Sequence, residues 1–178
     1  VINDGTGIEI NGKVANLEAG DIEMSNTGKL GTKINGTVKN ENGNSTFNNE
    51  AGEYLVSGTV SNNDGNLTIS NTGSGINVTA DGLIANAGGQ LDISNTGNDG
   101  IIIDGQVQNN GGDLNMTNEG LAGISINGNS INAIGNSNYI NKKGKFSVDG
   151  NIQNSNGKLS VINDGTGIEI NGKVANLE

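Results

Sequence analysis

The chain has 178 residues, a mass of 18.0 kDa and a formal charge of −10 at neutral pH. It contains 31 Gly and 34 Asn, but no His, Cys, Pro, Trp or Arg, and its nine basic residues are all Lys. That composition excludes imidazole and thiolate nucleophiles and metal sites, removes the bidentate Arg clamp for phosphate, and opposes nucleic-acid binding, which rests on clustered cations.

No apolar run approaches the roughly 20 residues that a membrane-spanning helix needs, so no membrane insertion is expected. The chain starts at Val1 without a leader-like stretch and reads as an excerpt of a longer protein. Hydrophobic residues make up 31% and aromatics 2%, which by composition alone would indicate disorder. Periodicity overturns that reading.

The first apolar alternations are Ile8-Glu9-Ile10, Lys13-Val14-Ala15 and Ile22-Glu23-Met24. Apolar side chains at every second residue predict short strands, not helix. The pattern restarts at Asn3, Asn26, Asn49, Asn71, Asn95, Asn118, Asn141 and Asn163, at spacings of 22 to 24 residues. A period of this size indicates a solenoid, whose single repeats cannot bury their own apolar face but whose stack can. Each coil offers five inward slots: Ile8, Ile10, Val14, Ile22 and Met24 in the first, and Tyr54, Val56, Val60, Leu67 and Ile69 in the third. The second coil substitutes Thr32 and Ser45.

Residues 161–178 repeat residues 1–18 without a mismatch, which sets a long period of 160 residues holding seven coils. The expected organisation is one complete tandem unit over 1–160 and the start of the next identical unit over 161–178, continuous and without linkers. The fold class read from this pattern is all-β, a right-handed parallel β-helix (β-solenoid) with three short strands per coil.

Columns of identical residues mark the corners. Gly12, Gly36, Gly58, Gly82, Gly105, Gly128, Gly150 and Gly172 occupy one, and Gly20, Gly43, Gly65, Gly89, Gly112, Gly135 and Gly157 precede the third strand. Both columns imply either positive φ or packing too tight for a Cβ. The Asn3-to-Asn163 starts form a column of their own, and a second runs through Asn16, Asn40, Asn62, Asn86, Asn109, Asn132, Asn154 and Asn176. Both fall on the inward parity of their strands, so they are expected to form stacked amide ladders and not a carbohydrate-binding row.

The four aromatics occur as Phe47 with Tyr54 and Tyr139 with Phe146, each pair seven residues apart. Ser45 and Ser137 stand two residues before Phe47 and Tyr139, in slots that elsewhere hold Ile or Leu. Small beside large keeps layer volume constant, which places these rings inside. The sixth coil fits least well, with Ser130 in a valine slot and Ile131 and Ile134 off register, and a bulge or local binding feature is expected over 129–138.

For chemistry, carboxylate pairs remain, Asp81 with Asp104 being the example nearest one corner. A glycosidase needs two such groups about 5 to 10 Å apart in a lined cleft, and turn acids in solvent are the plainer reading. Calcium-loop patterns of the GGxGxDxUx or DxDxDG type do not occur, outward Thr does not form an ice-binding face, and no cofactor or metal is expected. Lys142, Lys143 and Lys145 read as a solvated corner relieving the acidic surface.

The repeat GxIxIxGxVxN followed by GxLxIxN, as in Gly75 to Asn86 and Gly89 to Asn95, resembles the β-helical shafts of filamentous-haemagglutinin-like adhesins of two-partner secretion and of autotransporter passengers. The resemblance covers the whole chain and implies a right-handed parallel β-helix, export to the bacterial cell surface and a role in attachment. The expected function is a structural shaft, not an enzyme, whose partners are identical flanking units of a longer chain and possible copies side by side. A polysaccharide-degrading β-helix enzyme and a self-associating matrix fibre are the alternatives.

Overall fold

The computed structural model describes residues 1–177. These residues form 24 short strands arranged in three sheets of eight. Each strand pairs in parallel with its counterparts in the adjoining coils, so the described residues form a β-solenoid of about eight turns. One coil comprises Leu67–Asn71 in the first sheet, Ile76–Val78 in the second and Leu83–Asn86 in the third. Alternation dictates the result, because a strand places every second side chain on one face and the five apolar residues of a coil can meet only at its centre.

Register follows the period. Ile22 lies opposite Ser45 and Asn26 opposite Asn49, and in the next pair Ser45 meets Leu67 and Asn49 meets Asn71. Inward residues therefore stack into columns. Ile34, Val56, Val78, Ile103, Ile126 and Val148 make one, each fully buried. Three sheets facing one axis close a core although few residues are apolar.

The bulge expected in the sixth coil is absent. Asn129–Asn132 pairs in unbroken register with its neighbours on both sides, and Ser130 sits buried between Val107 and Ile152. The reason for a serine there is a bond: its Oγ lies 2.8 Å from the Tyr139 hydroxyl, which enters the core nine residues on. Ile131 faces outward, half-buried, and Ile134 is exposed on the corner. The register shift lies elsewhere, between Asn16 and Ala19 in Lys13–Ala19.

The aromatic pairs are internal, as their spacing predicts. Phe47 and Tyr54 meet edge to face with ring centroids 6.2 Å apart, and Tyr139 and Phe146 repeat the geometry at 6.1 Å. Their hydroxyls differ. Tyr139 has Ser130, whereas the buried Tyr54 hydroxyl has no partner among the described residues. Tyr139→Phe should therefore cost about 1 to 3 kcal/mol by orphaning Ser130, while Tyr54→Phe should cost nothing or stabilise, read as urea midpoints.

Burial raises both phenol pKa values, with Ser130 partly offsetting the rise at Tyr139. A folded-state pKa above the unfolded value of about 10 gives stability that is complete below that pH and lost as pH rises past it. The fall in urea midpoint between neutral and strongly alkaline pH should accordingly be smaller in the Tyr54→Phe/Tyr139→Phe double variant than in the parent.

Candidate functional site

The regular chemistry of this molecule lies at its corners. At the corner joining the first and second sheets, the Asn column is bonded without interruption: Asn3 Nδ2 donates to Asn26 Oδ1 at 2.6 Å, and the chain continues through Asn49, Asn71, Asn95, Asn118 and Asn141 to Asn163 at 2.6 to 3.0 Å. The second amide hydrogen goes to a carbonyl of the turn that follows, for example from Asn71 to Gly75 O at 3.1 Å and from Asn95 to Asp99 O at 2.8 Å. Each amide from Asn26 to Asn141 thus closes its own turn and ties it to the next coil. From Asn26 to Asn141 the column is buried.

The column joining the third sheet to the first behaves alike, with one break. Asn16 donates to Asn40, and Asn62 starts a run through Asn86, Asn109, Asn132 and Asn154 to Asn176 at 2.9 to 3.1 Å. Between Asn40 and Asn62 no such bond forms, and the Asn62 Oδ1 accepts from the Ser45 hydroxyl at 2.9 Å instead. Ser137 and Thr32 make the equivalent reach, to Asn154 at 2.8 Å and Asn49 at 3.0 Å, alongside an intact ladder. The serines beside the aromatics are therefore small enough for the rings and also bond to the amide column.

The two glycine columns have different causes. None of Gly12 to Gly172 in the first column has positive φ. From Gly36 onward a Cβ would fall on backbone carbonyl oxygen of the coil before, as at Gly58, where Gly36 O stands in the way. All seven members of the second column take positive φ, from 75° at Gly89 to 148° at Gly20, and only glycine adopts this conformation cheaply.

A third polar column was not foreseen. It lies one residue past the second glycines, where a side-chain oxygen caps the backbone N–H of the same position one coil ahead. Asp21 accepts from Asn44 N at 2.7 Å, Asn44 from Asn66 N at 3.0 Å, Asn66 from Gln90 N at 2.9 Å, Asp113 from Asn136 N at 2.7 Å and Asn136 from Lys158 N at 3.0 Å. The recurring Gly-Asp and Gly-Asn dipeptides were its sequence signal.

Asp81 sits in a two-residue expansion of its corner, where five residue steps separate Val78 from Leu83 against three from Ile103 to Gln106. Thr79, not Asp81, follows the strand at the position matching Asp104, and Asp104 instead accepts from Asn127 Nδ2 at 2.7 Å. No group of three or more Asp or Glu suited to a metal ion occurs among the described residues. A cavity of about 190 Å³ opens beside Thr6, Ile8, Leu30 and Lys33 in the first two coils. At the basic corner, Lys142 pairs with Glu119 at 2.6 Å and Lys145 with Glu169. The Lys142 hydrogen bond holds the Glu119 carboxyl below its usual range.

No protein-family model, curated protein or solved structure matches the chain. What the corners do is therefore argued from their geometry, and that geometry joins coil to coil. Replacing Asn86 with Leu removes a donor and an acceptor from a buried row, and should lower stability by about 1 to 3 kcal/mol. Asn77→Leu, on an outward slot whose Oδ1 is buried without a partner among the described residues, should leave the urea midpoint unchanged or raise it.

Proposed function

We propose that this chain is the repetitive shaft of a fibrous bacterial surface or secreted protein, acting as a spacer or filament in attachment. The observation that carries the reading is that the recurring polar residues are engaged by the stack itself: the Asn columns bond to Asn, and the Asp and Asn of the outer corner bond to backbone of the next coil. The structure is a parallel β-solenoid, and a solenoid is compatible with a fibre because its length grows one coil at a time without a new fold. The adhesin role and the extracellular location rest on the resemblance of the repeat to filamentous-haemagglutinin-like shafts. The identical flanking units rest on the sequence repeat between 1–18 and 161–178.

A matrix fibre built from several chains is the second reading, and one observation favours it. From Thr59 to Gln153 the third sheet presents two outward positions on each of five strands, and none carries a charge. A flat neutral face on an acidic rod permits close lateral approach.

Seven coils at roughly 4.8 Å give an axial repeat of about 34 Å per unit. Fibres of the full-length protein should be smooth and unbranched in electron micrographs, with diffraction showing both spacings. A beaded outline, or an axial repeat unrelated to seven coils, would contradict the shaft. Mass per length equal to one chain supports the spacer, and a multiple of it supports the bundled matrix. Depolymerisation of an acidic polysaccharide by the purified chain would point to the enzyme instead.

A further inference from the structure

Seven asparagines precede glycine: Asn11, Asn35, Asn42, Asn110, Asn127, Asn156 and Asn171. In this dipeptide the backbone nitrogen after asparagine is least hindered, because glycine has no Cβ to block its approach to the side-chain carbonyl. None of the sixteen ladder asparagines is followed by glycine. All seven are exposed, so exposure does not sort them.

The backbone does. At the corner between the second and third sheets, Gly36 N–H donates to Ile10 O at 2.8 Å, Gly128 N–H to Ile103 O at 2.8 Å and Gly172 N–H to Val148 O at 2.9 Å. The side chains there are also held, Asn35 by Asn11 at 2.8 Å, Asn127 by Asp104 at 2.7 Å and Asn171 by Asp149 at 2.8 Å. At the corner between the third and first sheets, Gly43, Gly111 and Gly157 N–H have no protein acceptor among the described residues, and neither do the amides of Asn42, Asn110 and Asn156.

We propose that Asn42, Asn110 and Asn156 are sites of spontaneous deamidation in the folded protein, while Asn35, Asn127 and Asn171 are protected by the coil behind them. The glycine nitrogen gives its proton to solvent base and bonds to the asparagine Cγ. The Cγ–Nδ2 bond breaks, ammonia leaves and a succinimide closes. Water then opens either ring C–N bond, giving aspartate or isoaspartate, so the net change is amide plus water to carboxylate plus ammonia, with no redox step. Each event adds one negative charge to an exposed turn and leaves the buried ladders intact.

The control is built in, because Asn35, Asn127 and Asn171 precede glycine as Asn42, Asn110 and Asn156 do and differ in protection. The folded protein is aged at mildly alkaline pH in heavy-oxygen water, digested after Lys and Glu, and the peptides bearing each asparagine are compared by fragmentation mass spectrometry. Asn42, Asn110 and Asn156 should gain label about tenfold faster than Asn35, Asn127 and Asn171, the order expected when reaction requires a local opening that breaks a backbone bond. In urea the six rates should converge. Equal rates in the two sets in the folded protein, or no conversion of Asn42, Asn110 and Asn156 while the unfolded chain converts, would overturn the proposal.

Discussion

In a parallel stack with a fixed period, the neighbour of every residue is its own counterpart one coil away, and this self-pairing constrains the rest of the structure. An apolar residue satisfies it by contact. A buried polar residue satisfies it only if the group can both donate to and accept from a copy of itself. The carboxamide does so, with Nδ2 as donor and Oδ1 as acceptor, whereas a carboxylate column would stack acceptors and like charges. That is why the buried corner columns are Asn throughout, with bonds such as Asn71 to Asn95 and Asn109 to Asn132. Where the donor is backbone N–H, the restriction lifts, and Asp21 and Asp113 stand in the outer column among asparagines. Where outward neighbours are charged, opposite signs can meet, as Glu9 opposite Lys33 and Glu119 beside Lys142.

Self-pairing also decides what could be read from the sequence. The amide columns, the inward slots and the internal position of Phe47, Tyr54, Tyr139 and Phe146 were legible, because a period translates directly into a stack. The contacts that escaped run diagonally. Ser130 meets Tyr139 nine residues on, and Ser45 reaches Asn62 seventeen residues on, at the one rung missing from the ladder. Neither follows a column, so Ser130 looked like a misfit when it is the partner of a buried phenol. The glycine columns were visible as columns, but φ separates the strained turn at Gly89 from the carbonyl contact at Gly58 only in three dimensions.

The same economy of residue types bears on function. Asparagine is used in two ways here, as a buried rung that never precedes glycine and as an exposed turn residue that often does. The first use gives continuity along the axis and the second leaves outer turns chemically changeable without loss of the stack. Both suit a long-lived extended rod more readily than a site organised around one reacting group.

The central claim is that the amide columns bind coil to coil, and side-chain amide exchange measured by nuclear magnetic resonance tests it most directly. Buried rungs such as Asn71, Asn95 and Asn118 should exchange their Nδ2 protons as slowly as core-strand backbone amides, because exchange requires opening the stack. Exposed amides such as those of Asn42 and Asn110 should exchange freely. Fast exchange of the rung amides beneath a protected backbone would contradict the account, since the coils would then be held by backbone and apolar packing alone.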